Sequence, residues 1–189
     1  MNKTTIVAIQ HTPMKTTIAS LLTSFAFAAA MHGADVTVKL SDVHLCCGAC
    51  VAAVDKTLTD SGVKGVTAKA DRTAKTIVLT GADTASVQKV TDALVAAGVF
   101  GKSDNPAIKV IADTGAKGQK VQSLKIEGVH LCCATCVSTV DEVVKKVAGV
   151  KEQDAKSKAK TFTVTGDFND KDVFAALQKA GLTGKVAKE

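Results

Sequence analysis

The sequence contains no tryptophan and no tyrosine, and six phenylalanines bring its aromatic content to only 3% of 189 residues. A ring-lined pocket for an organic ligand, or a surface on which bases stack, needs more rings than that. Arginine is almost missing as well, with Arg72 standing alone among the lysines. The net charge of +6 therefore reads as solvated lysine faces, such as Lys145-Lys146 and Lys156, Lys158 and Lys160, and nucleic acid is not an expected partner. No apolar run reaches the ~20 residues of a bilayer span, so stable membrane insertion is not expected either. What remains, 46% hydrophobic and 22% charged, is globular and excludes wholesale disorder.

Residues 1–34 lack any acidic residue, and Lys3 and Lys15 are their only basic ones. Met14-Lys15 makes a short basic start, and the apolar run Ile18–Ala30 follows it. Ala26-Phe27-Ala28 and Ala28-Ala29-Ala30 both place small residues where a signal peptidase needs them. Residues 1–34 are thus expected to be a cleaved signal peptide, with Met14 an alternative start, and the mature chain to be periplasmic or secreted.

Cysteine is confined to two places. Cys46, Cys47 and Cys50 form one group, Cys132, Cys133 and Cys136 the other, and His44 and His130 stand two residues ahead of them. Val43-His44-Leu45-Cys46-Cys47 recurs as Val129-His130-Leu131-Cys132-Cys133. The match continues from Cys50-Val51, Val54-Asp55 onto Cys136-Val137, Val140-Asp141, and ends with Ala97-Gly98 and Gly101-Lys102 against Ala180-Gly181 and Gly184-Lys185. Two copies imply a tandem duplication rather than a solenoid, which takes at least three.

Each copy reads strand, loop, helix, strand, strand, helix, short strand. Val36, Val38 and Leu40 alternate, as do Leu124 and Ile126, which predicts half-buried strands. Val54 and Leu58 follow Cys50 at helical spacing, and Val140, Val144 and Val147 follow Cys136, so a helix is expected to start near each of these cysteines. Thr76–Thr80 and Thr161–Thr165 are β-branched runs expected to end in a turn at the following glycine. Val87, Val90, Leu94 and Val95 make a second helix, as do Val173, Phe174, Leu177 and Ala180. The expected fold is α+β: two tandem ferredoxin-like βαββαβ domains. Domain 1 covers 35–104 and domain 2 covers 121–189, joined by a linker, 105–120, with a strand expected in Ala107–Ala112.

The cysteine loops carry the chemistry. Cys47/Cys50 and Cys133/Cys136 are Cys-x-x-Cys pairs at a helix N-terminus, where free N–H groups and the helix dipole favour thiolates. Such thiolates bind soft ions: Cu(I), Hg(II), Zn(II) or Cd(II). Cys46 and Cys132 offer a third sulfur, and His44 and His130 an imidazole or an outer hydrogen bond. Other readings of these residues are buried small hydrophobes, a disulfide staple that leaves one thiol odd in each copy, and histidines that merely bond the backbone. A thiol–disulfide oxidoreductase and a structural Zn(II) module are the competing functions.

Each copy resembles a heavy-metal-associated domain, the family of copper chaperones and periplasmic mercury-binding proteins. Its pattern runs hydrophobic-x-Gly-Met-Thr-Cys-x-x-Cys, then Ile/Val-Glu, then Leu. Ile126-Glu127-Gly128-Val129 resembles the run-in, while Asp42 replaces the glycine in copy one. Gly65-Val66 and Gly149-Val150 resemble the opening of the family's second strand, and Gly98 and Gly181 its glycine near the last strand. The loop is one or two residues longer than the pattern, which leaves Cys46/Cys50 and Cys47/Cys50 both open as the metal pair. The resemblance implies a non-enzymatic carrier of Cu(I) or Hg(II), with a metal-transporting membrane protein or another thiol carrier as partner. Two sites would raise capacity or pass the ion from one copy to the other.

Overall fold

A computed structural model describes residues 35–188. The proposed signal peptide, 1–34, lies outside the described residues. Within them, β1 (Val36–Ser41), α1 (Gly48–Asp60), β2 (Val66–Asp71), β3 (Thr76–Gly81), α2 (Thr84–Ala96) and β4 (Lys102–Ser103) make the first repeat. The second consists of β5 (Lys120–Glu127), α3 (Ala134–Val144), β6 (Val150–Gln153), β7 (Thr161–Asn169), α4 (Asp170–Lys179) and β8 (Lys185–Val186). The sheets run β2-β3-β1-β4 and β6-β7-β5-β8, antiparallel throughout. This is the βαββαβ order twice over, as the sequence predicts.

Period-two alternation puts Val38 and Leu40 of β1 inward against Ile77 and Leu79 of β3, and the helices cover them with Val54, Val87, Val90 and Leu94. The second repeat does the same with Leu124, Ile126, Val140, Val144, Val173 and Leu177, and adds Phe162, Phe168 and Phe174. Each fully buried aliphatic side chain contributes roughly 1.5–3 kcal/mol of transfer free energy. Asp83 caps α2 by accepting from the Ser86 N–H at 2.7 Å, and Asn169 caps α4 through the Lys171 N–H at 3.0 Å; both are favoured N-cap residues because an orphan donor is satisfied.

The first helices begin at Gly48 and Ala134, near Cys50 and Cys136 as expected, with Cys47 and Cys133 as the N-cap residues and Cys50 and Cys136 inside the first turn. Three local expectations change. Helix α3 ends at Val144, and Val147 is buried from the turn that follows. Gly166, at φ +147°, does not end its strand: β7 runs on to Asn169, and the register shift between Val150 and Glu152 on β6 absorbs the irregularity. Residues 107–112 form no strand.

That segment is nonetheless tied down. Ile108 is buried, and the Gln88 side chain both donates to the Lys109 carbonyl at 2.7 Å and accepts its N–H at 2.8 Å. Further on, Asp170 accepts the N–H groups of Lys117, Gly118 and Gln119. One end of the connection is held by the first repeat and the other by the second. No described helix is long and apolar enough to cross a membrane.

Candidate metal centre

In each repeat the chain leaves its first strand through a residue in the left-handed region: Gly128 at φ +78°, and Asp42 at φ +60° in the place of a glycine. Aspartate is among the few residues that tolerate this conformation, which explains why the replacement does not disturb the loop. Val43 and Leu45, and their counterparts Val129 and Leu131, then plug into the core. They hold the following cysteines at the surface of the repeat. Arg72 fastens the first loop by donating to the Cys46 carbonyl at 3.0 Å, and the Lys158 N–H fastens the second through the Leu131 carbonyl at 2.6 Å.

The two cysteine loops face one another. Within repeats, sulfur–sulfur separations are 3.5 Å for Cys46–Cys50, 3.8 Å for Cys47–Cys50, 3.5 Å for Cys132–Cys136 and 3.9 Å for Cys133–Cys136. Between repeats they are as short: Cys46 lies 3.4 Å from Cys133 and 3.5 Å from Cys136, while Cys132 lies 3.5 Å from both Cys47 and Cys50. All six are free thiols. The pattern has two-fold pseudosymmetry, with Cys46, Cys47 and Cys50 exchanging with Cys132, Cys133 and Cys136. Both candidate pairs of the first loop are therefore in contact, and a third relationship, across the repeats, is one the sequence does not suggest.

Loops make this junction. The antiparallel bridge Val99↔Leu182 lies at its centre. The Thr183 N–H donates to the Gly98 carbonyl at 3.1 Å, and the Gly181 carbonyl accepts from Phe100 at 3.1 Å and His44 at 3.3 Å.

Neither group of mutually close thiols includes a histidine nitrogen. His44 and His130 are half-buried, and each has an Nε2 that is buried without a hydrogen-bond partner. Burial pulls both imidazoles below their ordinary value; for His44 a charge on His130 and then Lys75 add to the effect. Both rings are consequently neutral at pH 7.

The thiols divide by environment. Burial, then contact with neighbouring thiols, pushes Cys46 and Cys132 well above the ordinary 9.0. Cys133 is drawn down to about 6, first by the Cys136 backbone N–H and then by the Cys46 thiol. For the fold without metal, the depressed Cys133 stabilises fully above 9.0 and loses that contribution as pH falls toward about 6. The raised pair acts oppositely: its stabilisation is full below 9.0 and declines as pH rises past it. Iodoacetamide at neutral pH should alkylate Cys133 before Cys46 or Cys132, with a rate that rises through a midpoint at about pH 6. Peptide mapping of a short pulse reads this out, and first labelling at Cys46 or Cys132 would contradict it.

Fold and site together define a thiol metal-binding module built from a duplicated βαββαβ unit. Residues 123–183, within the second repeat, match the model of the heavy-metal-associated domain. No curated protein matches the chain. Among solved structures, the solution structure of the N-terminal soluble domains of Bacillus subtilis CopA is similar at 19% identity and a TM-score of 0.31, over 81% of this chain and 94% of that one. The domain match and the thiol cluster support heavy-metal binding.

Proposed function

We propose that the chain is an exported, non-enzymatic carrier or scavenger of a soft heavy-metal ion, with Cu(I) or Hg(II) as cargo and Zn(II) as the alternative. The observation that carries this reading is the meeting of six free thiols from two loops, within a chain whose second repeat matches a heavy-metal-associated domain. Soft d10 ions are held by thiolates in preference to oxygen ligands. Duplication in the first repeat supports reading it as a second domain of the same kind, although the family match covers only 123–183.

Uptake is ligand exchange. A cysteine sulfur bonds to the ion before the donor's sulfur leaves, and each thiol that ligates gives up its proton. Cys46 is reachable for this exchange, because it lines a groove of about 1090 Å³ together with Lys69, Arg72 and Lys75. Cys132 lines a second groove with Lys158, Lys160 and Lys185. These cations favour approach by anionic thiolate complexes of the metal, or by an acidic face of another thiol carrier or a metal-transporting membrane protein.

The thiol–disulfide oxidoreductase reading has one observation in its favour, the low pKa of Cys133 in a Cys-x-x-Cys pair. The two functions separate experimentally. Reduced protein should extract Cu(I), Hg(II) or Zn(II) from a competing chelator, and the Cys50→Ser/Cys136→Ser double variant should lose that ability while insulin reduction stays at background. Unchanged metal stoichiometry in the double variant would sink the carrier proposal, and turnover with weak metal affinity would establish the oxidoreductase instead. Mass spectrometry of the native mature protein tests export through the loss of residues 1–34.

A further inference from the structure

We propose that the six cysteines form one dinuclear centre, in which Cys46 and Cys132 are thiolate bridges between two divalent, tetrahedral d10 ions. The inference rests on the metal-binding proposal and deepens it. Cys46, Cys132, Cys133 and Cys136 have sulfurs all within 4.8 Å of one another, and so do Cys46, Cys47, Cys50 and Cys132. The two quartets share two members, Cys46 and Cys132. Two four-sulfur positions built from six sulfurs by sharing an edge are an M2S6 core.

The dimensions suit that coordination. A metal–sulfur bond of about 2.3 Å sets the edge of a regular S4 tetrahedron at about 3.8 Å, whereas linear two-coordination would hold its sulfurs about 4.6 Å apart. The closest sulfur contacts run from 3.4 Å for Cys46–Cys133 to 3.9 Å for Cys133–Cys136. Neither repeat can fill a tetrahedron with its own three sulfurs. Each position is completed by one sulfur from the other repeat: Cys46 joins Cys132, Cys133 and Cys136, and Cys132 joins Cys46, Cys47 and Cys50. These two thiols are also the most strongly shared in the cluster, each touching both sulfurs of the facing Cys-x-x-Cys pair.

Loading two divalent ions onto six thiols expels the thiol protons and leaves a dianionic core. Arg72, which donates to the Cys46 carbonyl at 3.0 Å, and Lys75, Lys158 and Lys160 set cations in the grooves at the two loops, where Asp42, Asp71, Glu142 and Glu127 also stand. The class of ion selected is that of Zn(II) and Cd(II), whose filled d shell imposes no geometry of its own and accepts four thiolates.

Anaerobic titration of the reduced full chain with cadmium-113 tests this. Two ions per chain are expected, taken up together, and their NMR signals should show coupling through shared sulfur. Cys46→Ser should weaken both ions, since it removes a bridge, and Cys47→Ser should weaken only one. The coupling is read on the unaltered protein, so the test survives a variant that fails to fold. Two uncoupled ions, of which Cys46→Ser erases only one, would overturn the shared centre and leave thiol metal binding standing. A single ion per chain would overturn it too. Absence of uptake of Cd(II), Zn(II), Hg(II) and Cu(I) alike would bring down the functional proposal with it.

Discussion

Alanine at Gly98 or Gly181 should part the two thiol loops without altering a single sulfur. Both glycines have positive φ, +86° and +76°. A Cβ at Gly98 would run into the Gly128 carbonyl oxygen and come within 2.7 Å of the His130 nitrogen. A Cβ at Gly181 would strike the Asp42 carbonyl and the His44 nitrogen. In each case the obstacle is backbone of the opposite repeat, in the run-in to its cysteine loop. Backbone inside a packed repeat cannot yield, so the cheapest relief is movement of one repeat away from the other. Among the contacts that resist are three backbone hydrogen bonds between the repeats, two of which make the Val99↔Leu182 bridge, each worth about 1 kcal/mol. Left-handed strain adds roughly 1–2 kcal/mol for the alanine itself. Gly62→Ala separates strain from wedging, because Gly62 has φ +66° but open space where the Cβ would stand. Mild oxidation with diamide, followed by peptide mapping, should yield cross-repeat disulfides such as Cys46–Cys133 and Cys47–Cys132 in the unaltered protein and in Gly62→Ala. In Gly98→Ala and Gly181→Ala only pairs within a repeat should form. Cross-repeat pairs at undiminished yield in both wedge variants would show that the junction does not depend on these contacts.

The same two glycines mark where sequence reasoning stops. Period-two strands, helical spacing after Cys50 and Cys136, and the doubled His-Leu-Cys-Cys-x-x-Cys are local or repetitive signals, and they lead directly to two βαββαβ units. Every one of the six sulfurs is also legible, because a thiol's chemistry goes with its residue type and its place at a helix N-terminus. Nothing in a strand or helix period reports how two finished domains dock. Gly98 and Gly181 read from sequence as a glycine near the last strand of each copy; their closeness to the other copy's His130 and His44 is a tertiary fact. In the linker only the expected strand at 107–112 is absent, and what holds the connection is not legible either, because Gln88 and Asp170, far away in sequence, supply its hydrogen bonds.

Asp170 shows how strongly. It is only 5% exposed, stands at the first position of α4, and accepts three backbone N–H groups of the connection: Lys117 at 2.8 Å, Gly118 at 2.7 Å and Gln119 at 3.0 Å. The carboxylate thereby stands in for the partners those amides would find in water, and the N-terminal end of the helix favours its charge. Burial works against ionisation, but the N–H groups of Lys117, Gly118, Gln119 and Lys171 prevail and hold the carboxyl below its ordinary 3.8. Asp170→Ala strips all three donors of their acceptor inside the protein. Hydrogen bonds to a charged group contribute roughly 1.5–3 kcal/mol each, not additively, so a loss of about 3 kcal/mol is expected. Asp170→Asn turns an NH2 toward a donor and should recover only part of it. The sign of the pH dependence follows from the lowered pKa: the stabilisation is complete above 3.8 and fades as pH falls through the folded-state value. Urea melts of the two proteins should therefore differ most near neutrality and converge in acid. A gap that persists undiminished in acid would mean that packing around α4, and not the ionised carboxylate, holds the connection in place. The thiol loops are remote in sequence from this carboxylate, so Asp170→Asn should keep its metal stoichiometry even as it loses stability.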